Sequence, residues 1–218
     1  MIAFDVNETL LDLRALDPVF EDVFGDAALR GQWFAQMLQI AFVGAITDRY
    51  VDFASAQRAA LDMLAQSRGV ALPPDAADRV AATMRALPAH PEVADALARL
   101  RDGGHQLAAL SNSPSDVEQE QLAHAGLADR FDAILSADDV RALKPRREPY
   151  ELVARTFAVP IGEVTLVAAH AWDVAGALAA GCRAAFVARP GMPRNPIDPE
   201  PDLVGADLDE IADRILAA

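Results

Sequence analysis

Short apolar runs alternate with helix-like stretches along most of the chain. Five runs are apolar almost throughout, as in parallel strands covered on both faces: residues 2–4, 106–110, 133–135, 164–168 and 184–187. Five other stretches have the hydrophobic spacing of helices: residues 92–101, 117–125, 149–157, 174–180 and 208–216. The alternation predicts an α/β fold with a Rossmann-like parallel sheet.

The pattern changes between residues 14 and 88, where we predict only helices, over residues 27–43, 51–68 and 75–87. A crossover between parallel strands needs roughly a dozen residues, so this segment is far longer than a connection requires. We therefore predict a core domain formed by residues 1–13 and 89–218, and a helical cap domain formed by residues 14–88. Trp33, Phe34, Met37 and Phe42 are expected to form the core of the cap.

Composition and charge narrow the class of protein. Hydrophobic residues make up 52 % and charged residues 24 % of the 218 positions, which is typical of a globular protein. The formal net charge of −14 disfavours binding to nucleic acids and to anionic membranes. A single cysteine, Cys182, excludes a disulfide within the chain, and neither a signal peptide nor a transmembrane run is recognisable. We expect a cytoplasmic protein.

Polar side chains follow four of the predicted strands, and the carboxyl ends of parallel strands meet at one edge of a sheet. They are Asp5, Asn7 and Thr9 after the first strand, Ser111 and Asn112 after the second, Lys144 and Tyr150 beyond the third, and His170, Trp172 and Asp173 after the fourth. Singly, each fits a cap, a turn or a surface position. Together they supply the groups for covalent catalysis by a carboxylate.

In this order the residues resemble the four motifs of the haloacid dehalogenase (HAD) superfamily of hydrolases, over essentially the whole chain. The similarity is closest to the type II (S)-2-haloacid dehalogenases, through Arg-Tyr-Val-Asp-Phe at 49–53, Lys144 followed by Tyr150, and Ala-Trp-Asp at 171–173. The resemblance implies an HAD-like core with a cap after the first strand. It also implies a small carboxylate as substrate, no cofactor, no metal and a possible homodimer.

The resemblance further implies a two-step hydrolysis. Asp5 would displace halide from C2 of a 2-haloacid, and water would then hydrolyse the resulting ester to a 2-hydroxy acid. The implied catalytic residues are Asp5, Thr9, Ser111, Lys144 and Asp173, and the implied substrate-binding residues are Asn7, Asn112, Tyr150, His170 and Trp172. Lys144 would keep Asp5 ionised, Asn112 would help to hold the leaving group, and Tyr150 and Asp173 would orient Lys144 and the water.

The chain departs from the type II pattern in two places. Gly44 matches the position of a cap arginine that receives the halide, and Ala168 and His170 replace a serine and an asparagine. His170 either fills space beside Trp172 or contacts water or substrate in place of the asparagine, for example as a base paired with Asp173. Glu8 is expected to face solvent or to cap the chain where it enters the insert.

Three alternative functions stay open at this point. A small cyclic amino acid could be opened by the same nucleophile, with His170 protonating the amine that leaves. A Mg²⁺-dependent phosphatase is disfavoured by Asn7, which stands where that branch has a second aspartate, and by the single acid within residues 168–173. A binding protein that has kept the fold without the activity is the third.

Overall fold

The computed structural model describes residues 1–217, and its centre is one sheet of six parallel strands in the order β3-β2-β1-β4-β5-β6. The strands are β1 (Ile2–Phe4), β2 (Leu107–Ser111), β3 (Ala133–Ser136), β4 (Thr165–Ala168), β5 (Arg183–Val187) and β6 (Leu203–Gly205). This confirms the predicted α/β class and five of the strands within a residue or so. The sixth was not predicted, because its three residues follow a proline-rich segment and show no alternation of their own.

The register of the central strands brings the polar residues to one edge. Phe4 of β1 lies opposite Ala109 of β2 on one side and Val167 of β4 on the other. Asp5 therefore leaves the sheet between the ends of β2 and β4, where the strand order changes direction. Ligands of open α/β sheets bind in the crevice at such a point.

Helices cover the sheet and fill the long segment between β1 and β2. They are α1 (Asp17–Phe24), α2 (Leu29–Ile46), α3 (Phe53–Arg68), α4 (Ala76–Arg85), α5 (Val93–Asp102), α6 (Ser115–His124), α7 (Arg147–Phe157), α8 (Ala171–Ala180) and α9 (Leu208–Leu216). The sequence analysis did not delimit α1, and it placed the start of α8 three residues too late. None of the helices within residues 1–217 is long and apolar enough to cross a membrane.

The helices between β1 and β2 pack mainly through α2 and α3. Trp33 of α2 is fully buried, its indole N–H donates to the Gln57 carbonyl oxygen at 3.1 Å, and its ring lies 5.4 Å from that of Phe20. Trp33 and Met37 are core residues, as predicted. Phe34 and Phe42 also contact the aromatic groups that follow β4, so one side of α2 faces the crevice.

Candidate active site

Asp5 is buried at the end of β1, and both of its carboxylate oxygens accept hydrogen bonds. Oδ1 accepts from Lys144 Nζ at 2.8 Å, while Oδ2 accepts from Thr9 Oγ1 at 2.6 Å and contacts His170 Nδ1 at 3.0 Å. Thr9 Oγ1 is itself fixed by the Ala169 N–H at 2.9 Å. Burial alone would raise the pKa of Asp5, but Lys144 and His170 outweigh burial and hold this pKa below its ordinary value. Asp5 is therefore an ionised carboxylate.

Lys144 is 1 % exposed, and all three hydrogens of its ammonium group have acceptors. Besides Asp5, Nζ donates to Asp173 Oδ2 at 2.6 Å and to the Leu110 carbonyl oxygen at 2.8 Å. Burial opposes the charge on Lys144, but Asp173 and Asp5 together raise its pKa. The lysine is thus a fixed cation between two carboxylates.

Tyr150 and Asp173 support Lys144 from behind. The Tyr150 hydroxyl donates to Asp173 Oδ1 at 2.6 Å, which leaves Oδ2 for the lysine. Close packing of α8 on α7 makes this contact possible: a Cβ added to Gly176 would lie 2.5 Å from Pro145 Cβ and 2.6 Å from the Tyr150 hydroxyl oxygen. Burial raises the pKa of Asp173 despite its bond to Lys144, because one ammonium group serves two acids.

His170 lies between two carboxylates. Its Nδ1 faces Asp5, and its Nε2 lies 3.0 Å from Glu8 Oε2, so both ring nitrogens need a hydrogen to satisfy their partners. Burial would lower the pKa of His170, yet the bonds to Asp5 and Glu8 raise it to about 9. The predicted pairing of His170 with Asp173 is wrong, because Asp173 is on the far side of Lys144 and His170 is held by Asp5 and Glu8.

Glu8 is the residue that the sequence analysis placed wrongly. It is 9 % exposed, does not face solvent, and contacts both His170 and Arg30, whose Nη1 lies 3.5 Å from Glu8 Oε1. Its backbone adopts φ +63°, a conformation that is uncommon for a residue with a side chain. The sequence contained one signal for the contact between Glu8 and His170: a carboxylate three residues after Asp5 together with a histidine after β4.

The predicted site residues without a hydrogen bond to Asp5 include Asn112, Asn7 and Ser111. The Asn112 side chain accepts from the Lys144 backbone N–H at 2.7 Å and donates to its carbonyl oxygen at 3.2 Å, so it holds the Lys144 backbone. Asn7 bonds Ser113 and Gln121. Ser111 Oγ accepts from the Ser113 N–H at 3.0 Å. Asn112 thus holds the Lys144 backbone, and its contact with a leaving group stays a prediction.

A cavity of about 350 Å³ opens beside His170 under α2. Phe34 of α2 and Trp172 cover the two faces of the imidazole, with ring centroids 5.7 Å and 5.2 Å away. The cavity wall also includes Leu38, Met192 and Pro193. The indole N–H of Trp172, which also belongs to this wall, is buried and has no hydrogen-bond partner within residues 1–217.

Gly44 does not line this cavity. A Cβ at Gly44 would lie 2.7 Å from the Arg49 carbonyl oxygen and 3.2 Å from Val51 Cγ2, so a side chain there would meet the chain that follows α2. The α2 residues that line the cavity beside His170 are Gly31, Phe34, Ala35 and Leu38, and the ring of Phe34 stacks on the imidazole. The structure therefore contradicts the expectation that Gly44 marks a halide position, and it places an apolar ring next to His170.

The donor set does not suit a divalent cation. Mg²⁺ prefers several oxygen ligands in an octahedral arrangement, whereas Asp5 and Asp173 both hold the Lys144 ammonium group. Among residues 1–217 there is no group of three or more His, Cys, Asp or Glu side chains placed to bind a metal ion. The positive charge opposite Asp5 comes from the protein's own lysine.

Comparison with known proteins agrees with this geometry. The sequence model of the haloacid dehalogenase-like hydrolases matches residues 1–181. The chain belongs to this family. Two similar relatives are (S)-2-haloacid dehalogenases: that of Xanthobacter autotrophicus is 34 % identical over 86 % of this chain and 74 % of that protein, and that of Pseudomonas sp. (strain YL) is 29 % identical over 87 % and 83 %.

Solved structures extend the similarity to the whole fold. The L-2-haloacid dehalogenase of Xanthobacter autotrophicus with chloropropionic acid covalently bound has a TM-score of 0.91, with 27 % identity over 98 % of this chain and 97 % of that chain. The fold of this chain is therefore closely similar to that of an L-2-haloacid dehalogenase.

Proposed function

We propose that this protein hydrolyses small 2-substituted carboxylates through Asp5, and that its reaction is the dehalogenation of an (S)-2-haloacid to a 2-hydroxy acid. The observation that carries the proposal is the Asp5 carboxylate itself, which is buried, ionised and bonded to Lys144, Thr9 and His170. The names of the relatives support the choice of halide as the leaving group.

In the first step an Asp5 oxygen attacks C2, and the carbon–halogen bond breaks on the opposite side. The halide leaves with the bonding electron pair, C2 is inverted, and Asp5 becomes an ester. Lys144 favours this step because it keeps Asp5 ionised at neutral pH and does not transfer a proton to it. Asp173, Tyr150 and Asn112 are positioning residues, since they hold Lys144 and do not contact Asp5.

In the second step water attacks the Asp5 ester carbonyl carbon, and the C–O bond to Asp5 breaks. Ester formation removes the negative charge of Asp5, one of the two charges that raise the pKa of His170. The pKa of His170 therefore falls once the ester has formed, so that the imidazolium can release a proton to solvent while Glu8 continues to hold its other nitrogen. The neutral imidazole then accepts the proton of the attacking water and passes it to the oxygen of the departing 2-hydroxy acid.

The halide departs beside Phe34, His170 and Trp172. A leaving anion in a buried cavity needs positive charge or hydrogen-bond donors, because an unpaired ion in a low-dielectric site costs several kcal/mol. The His170 imidazolium supplies the positive charge. We also propose that residues 14–88 act as a cap, since α2 contributes Phe34 to this cavity.

A second candidate reaction follows from the protonated state of His170. Ring opening of a small cyclic amino acid expels an amine. This leaving group needs a proton, whereas a halide needs a binding site for an anion. His170 could supply this proton, because its pKa of about 9 keeps it protonated at neutral pH. In either reaction, His170→Ala should reduce turnover. Unchanged turnover of every substrate would exclude His170 from both mechanisms.

The deciding assay measures chloride and acid release from (S)-2-chloropropionate, with and without EDTA. Wild-type protein should release both, and EDTA should have no effect, because no group of three or more His, Cys, Asp or Glu side chains within residues 1–217 is placed to bind a metal ion. Asp5→Asn should abolish release, whereas the matched variant Asp62→Asn, at an exposed position of α3, should retain it. Folded wild-type protein that releases no halide would contradict dehalogenation, and loss of activity in EDTA would favour a phosphatase-like metal site.

Three expectations from the sequence stay predictions. We propose that the protein acts in the cytoplasm, that it binds no nucleic acid and that it forms a homodimer. The net charge of −14 supports the second. Size-exclusion chromatography with light scattering tests the third, and a purely monomeric mass would contradict it.

A further inference from the structure

Arg189 is a buried cation that the proposed mechanism does not use. It follows the last residue of β5, Val187, by two positions and is 8 % exposed. Its backbone is fixed on both sides: the N–H of Arg189 donates to the Val187 carbonyl oxygen at 2.8 Å, and its carbonyl oxygen accepts the Met192 N–H at 2.9 Å. A buried guanidinium group needs charged or hydrogen-bonding partners to offset its loss of water, so its contacts indicate what it does.

Two of these contacts are to one backbone atom, the Thr9 carbonyl oxygen. Arg189 Nη2 donates to it at 2.7 Å and Nε donates to it at 3.2 Å. Thr9 is fully buried, and outside the helices and strands no backbone N–H of residues 1–217 donates to its carbonyl oxygen. A buried carbonyl group without a donor is unfavourable, and a bond from a charged donor is roughly twice as strong as a neutral one. Arg189 therefore fixes the Thr9 backbone in the loop that follows β1.

The side chain of Thr9 contacts the Asp5 carboxylate. Thr9 Oγ1 accepts the Ala169 N–H at 2.9 Å and donates its single hydrogen to Asp5 Oδ2 at 2.6 Å. Lys144 binds the other oxygen at 2.8 Å, so the two contacts together set the rotation of the carboxylate. Attack on C2 requires an aligned oxygen, and a displacement of about 1 Å can slow a reaction about 100-fold. The position of the Thr9 backbone therefore bears on the rate of attack.

Glu92 supplies the counter-charge of Arg189. Its Oε1 lies 2.6 Å from Arg189 Nη1, and the residue immediately precedes α5. The ion pair uses the one guanidinium nitrogen that does not bond Thr9. The charge of Arg189 is thus balanced by Glu92, while both donors that reach Thr9 stay in place. Arg189 joins the end of β5 to the loop after β1 and to the start of α5.

We propose that Arg189 is a positioning residue for the nucleophile: it holds the Thr9 carbonyl oxygen, so that the Thr9 hydroxyl keeps the Asp5 carboxylate in one orientation. Within residues 1–217 Arg189 has no hydrogen bond or ion pair with Asp5, and it acts through Thr9. The inference rests on the proposed function for the attack by Asp5. It adds the end of β5 to the four strand ends that the sequence analysis connected with the site.

Variants at residue 189 separate the donors from the packing. Arg189→Met fills similar space without a donor, whereas Arg189→Lys keeps the charge and a donor but not the pair of N–H groups. We expect Arg189→Met to lower kcat for (S)-2-chloropropionate about tenfold or more, with KM changed less than about threefold, because an oriented nucleophile is needed in the transition state and not for binding. Arg189→Lys should recover part of this loss. The matched control Arg183→Met, at the exposed first residue of β5, should retain kcat.

A double-mutant cycle tests whether the effect passes through Thr9. Thr9→Val keeps the branched shape of the side chain and removes the hydroxyl group. In the Thr9→Val background, Arg189→Met should lower kcat less than about twofold, because no hydroxyl is left to position. An unchanged kcat in Arg189→Met, or an equal loss of kcat in both backgrounds, would overturn the proposal. Thermal unfolding checks that each variant is folded, and Arg189→Lys serves in the same cycle if Arg189→Met does not fold.

Crystal structures of wild type and of Arg189→Met give a test that needs no activity. In the variant, the distance between Thr9 Oγ1 and Asp5 Oδ2, which is 2.6 Å in the wild-type chain, should lengthen beyond hydrogen-bond distance. A Thr9 hydroxyl that stays in place would overturn the proposal. A displaced Thr9 hydroxyl, together with wild-type protein that releases no chloride, would contradict only the proposed function.

Discussion

Replacing Lys144 by methionine removes the one cation that lies between Asp5 and Asp173. Methionine is close to lysine in length and fills the buried space, so the change isolates the charge from the packing. Asp5 keeps Thr9 and His170 as partners, whereas Asp173 keeps only the Tyr150 hydroxyl. We therefore expect Asp173 to be the group that takes up a proton in the variant.

The cost of this substitution can be worked from proton binding. In the unfolded chain an aspartate has a pKa of about 3.9, so forcing Asp173 to be protonated in the fold costs about 1.4 kcal/mol for each pH unit above 3.9. The cost is about 4 kcal/mol at pH 7, in line with about 3–5 kcal/mol for breaking a buried ion pair. For a chain of this size that corresponds to a fall in Tm of about 6–20 °C.

The direction in which the destabilisation of Lys144→Met changes with pH distinguishes the loss of the charge from a loss of packing. In wild type the pKa of Asp5 is depressed, so the ionised Asp5 carboxylate stabilises the fold above about pH 4. This stabilisation is lost as pH falls through the lower pKa of Asp5 in the folded protein. The destabilisation of Lys144→Met should shrink between pH 7 and pH 4, because the unfolded chain then takes up the same proton. Halide release should fall about 100-fold or more.

Urea unfolding of both proteins from pH 4 to pH 7 measures this difference directly. The control is Lys144→Met combined with Asp173→Asn, which needs no proton at residue 173 and should lose most of the pH dependence. A destabilisation that stays constant with pH would refute the argument from charge. Equal stability of wild type and Lys144→Met at pH 7 would refute it entirely.

Three further substitutions test other contacts. The kcat/KM of wild type should decline as pH rises through about 9, where His170 loses its proton. Glu8→Gln should move this decline to lower pH, because one of the two carboxylates that raise the pKa of His170 is gone. A pH–rate profile that does not move would contradict the pairing of Glu8 with His170. Gly44→Ala should lower the free energy of unfolding, measured in urea, by about 1–3 kcal/mol, because the added Cβ meets the Arg49 carbonyl oxygen. Its kcat should change less than about twofold. A stable variant with an altered kcat would indicate that Gly44 belongs to the active site. Tyr150→Phe should destabilise the fold by about 1–3 kcal/mol through the loss of the Asp173 hydrogen bond, and an unchanged Tm would contradict this.

Strand ends could be predicted from the sequence because a parallel sheet imposes its own geometry. Once apolar runs identify β1, β2 and β4, residues such as Asp5, Ser111 and Asp173 must lie at one edge. The position of Lys144 was less constrained by local pattern, since it follows a turn after β3. Its assignment came from the motif and not from periodicity.

The errors share a physical cause, namely contacts between distant segments that no local pattern encodes. Glu8 is polar and next to the insert, and only the positive φ at this residue and the approach of His170 from β4 bury it. Gly44 was assigned by its distance from the Arg-Tyr pair, although the direction of its Cβ depends on how α2 ends.

The charged groups of the site form a chain of contacts in which negative and positive charges alternate: Glu8, His170, Asp5, Lys144 and Asp173. Ester formation neutralises only Asp5, the central group, and the two cations beside it respond differently. Lys144 keeps Asp173 and the Leu110 carbonyl oxygen as acceptors, so it stays protonated and in place. His170 keeps only Glu8, so its pKa falls and the neutral imidazole, the form that can accept a proton from water, becomes accessible. We therefore expect the His170 side of the cluster to exchange protons during turnover, whereas the Lys144 side only holds charge.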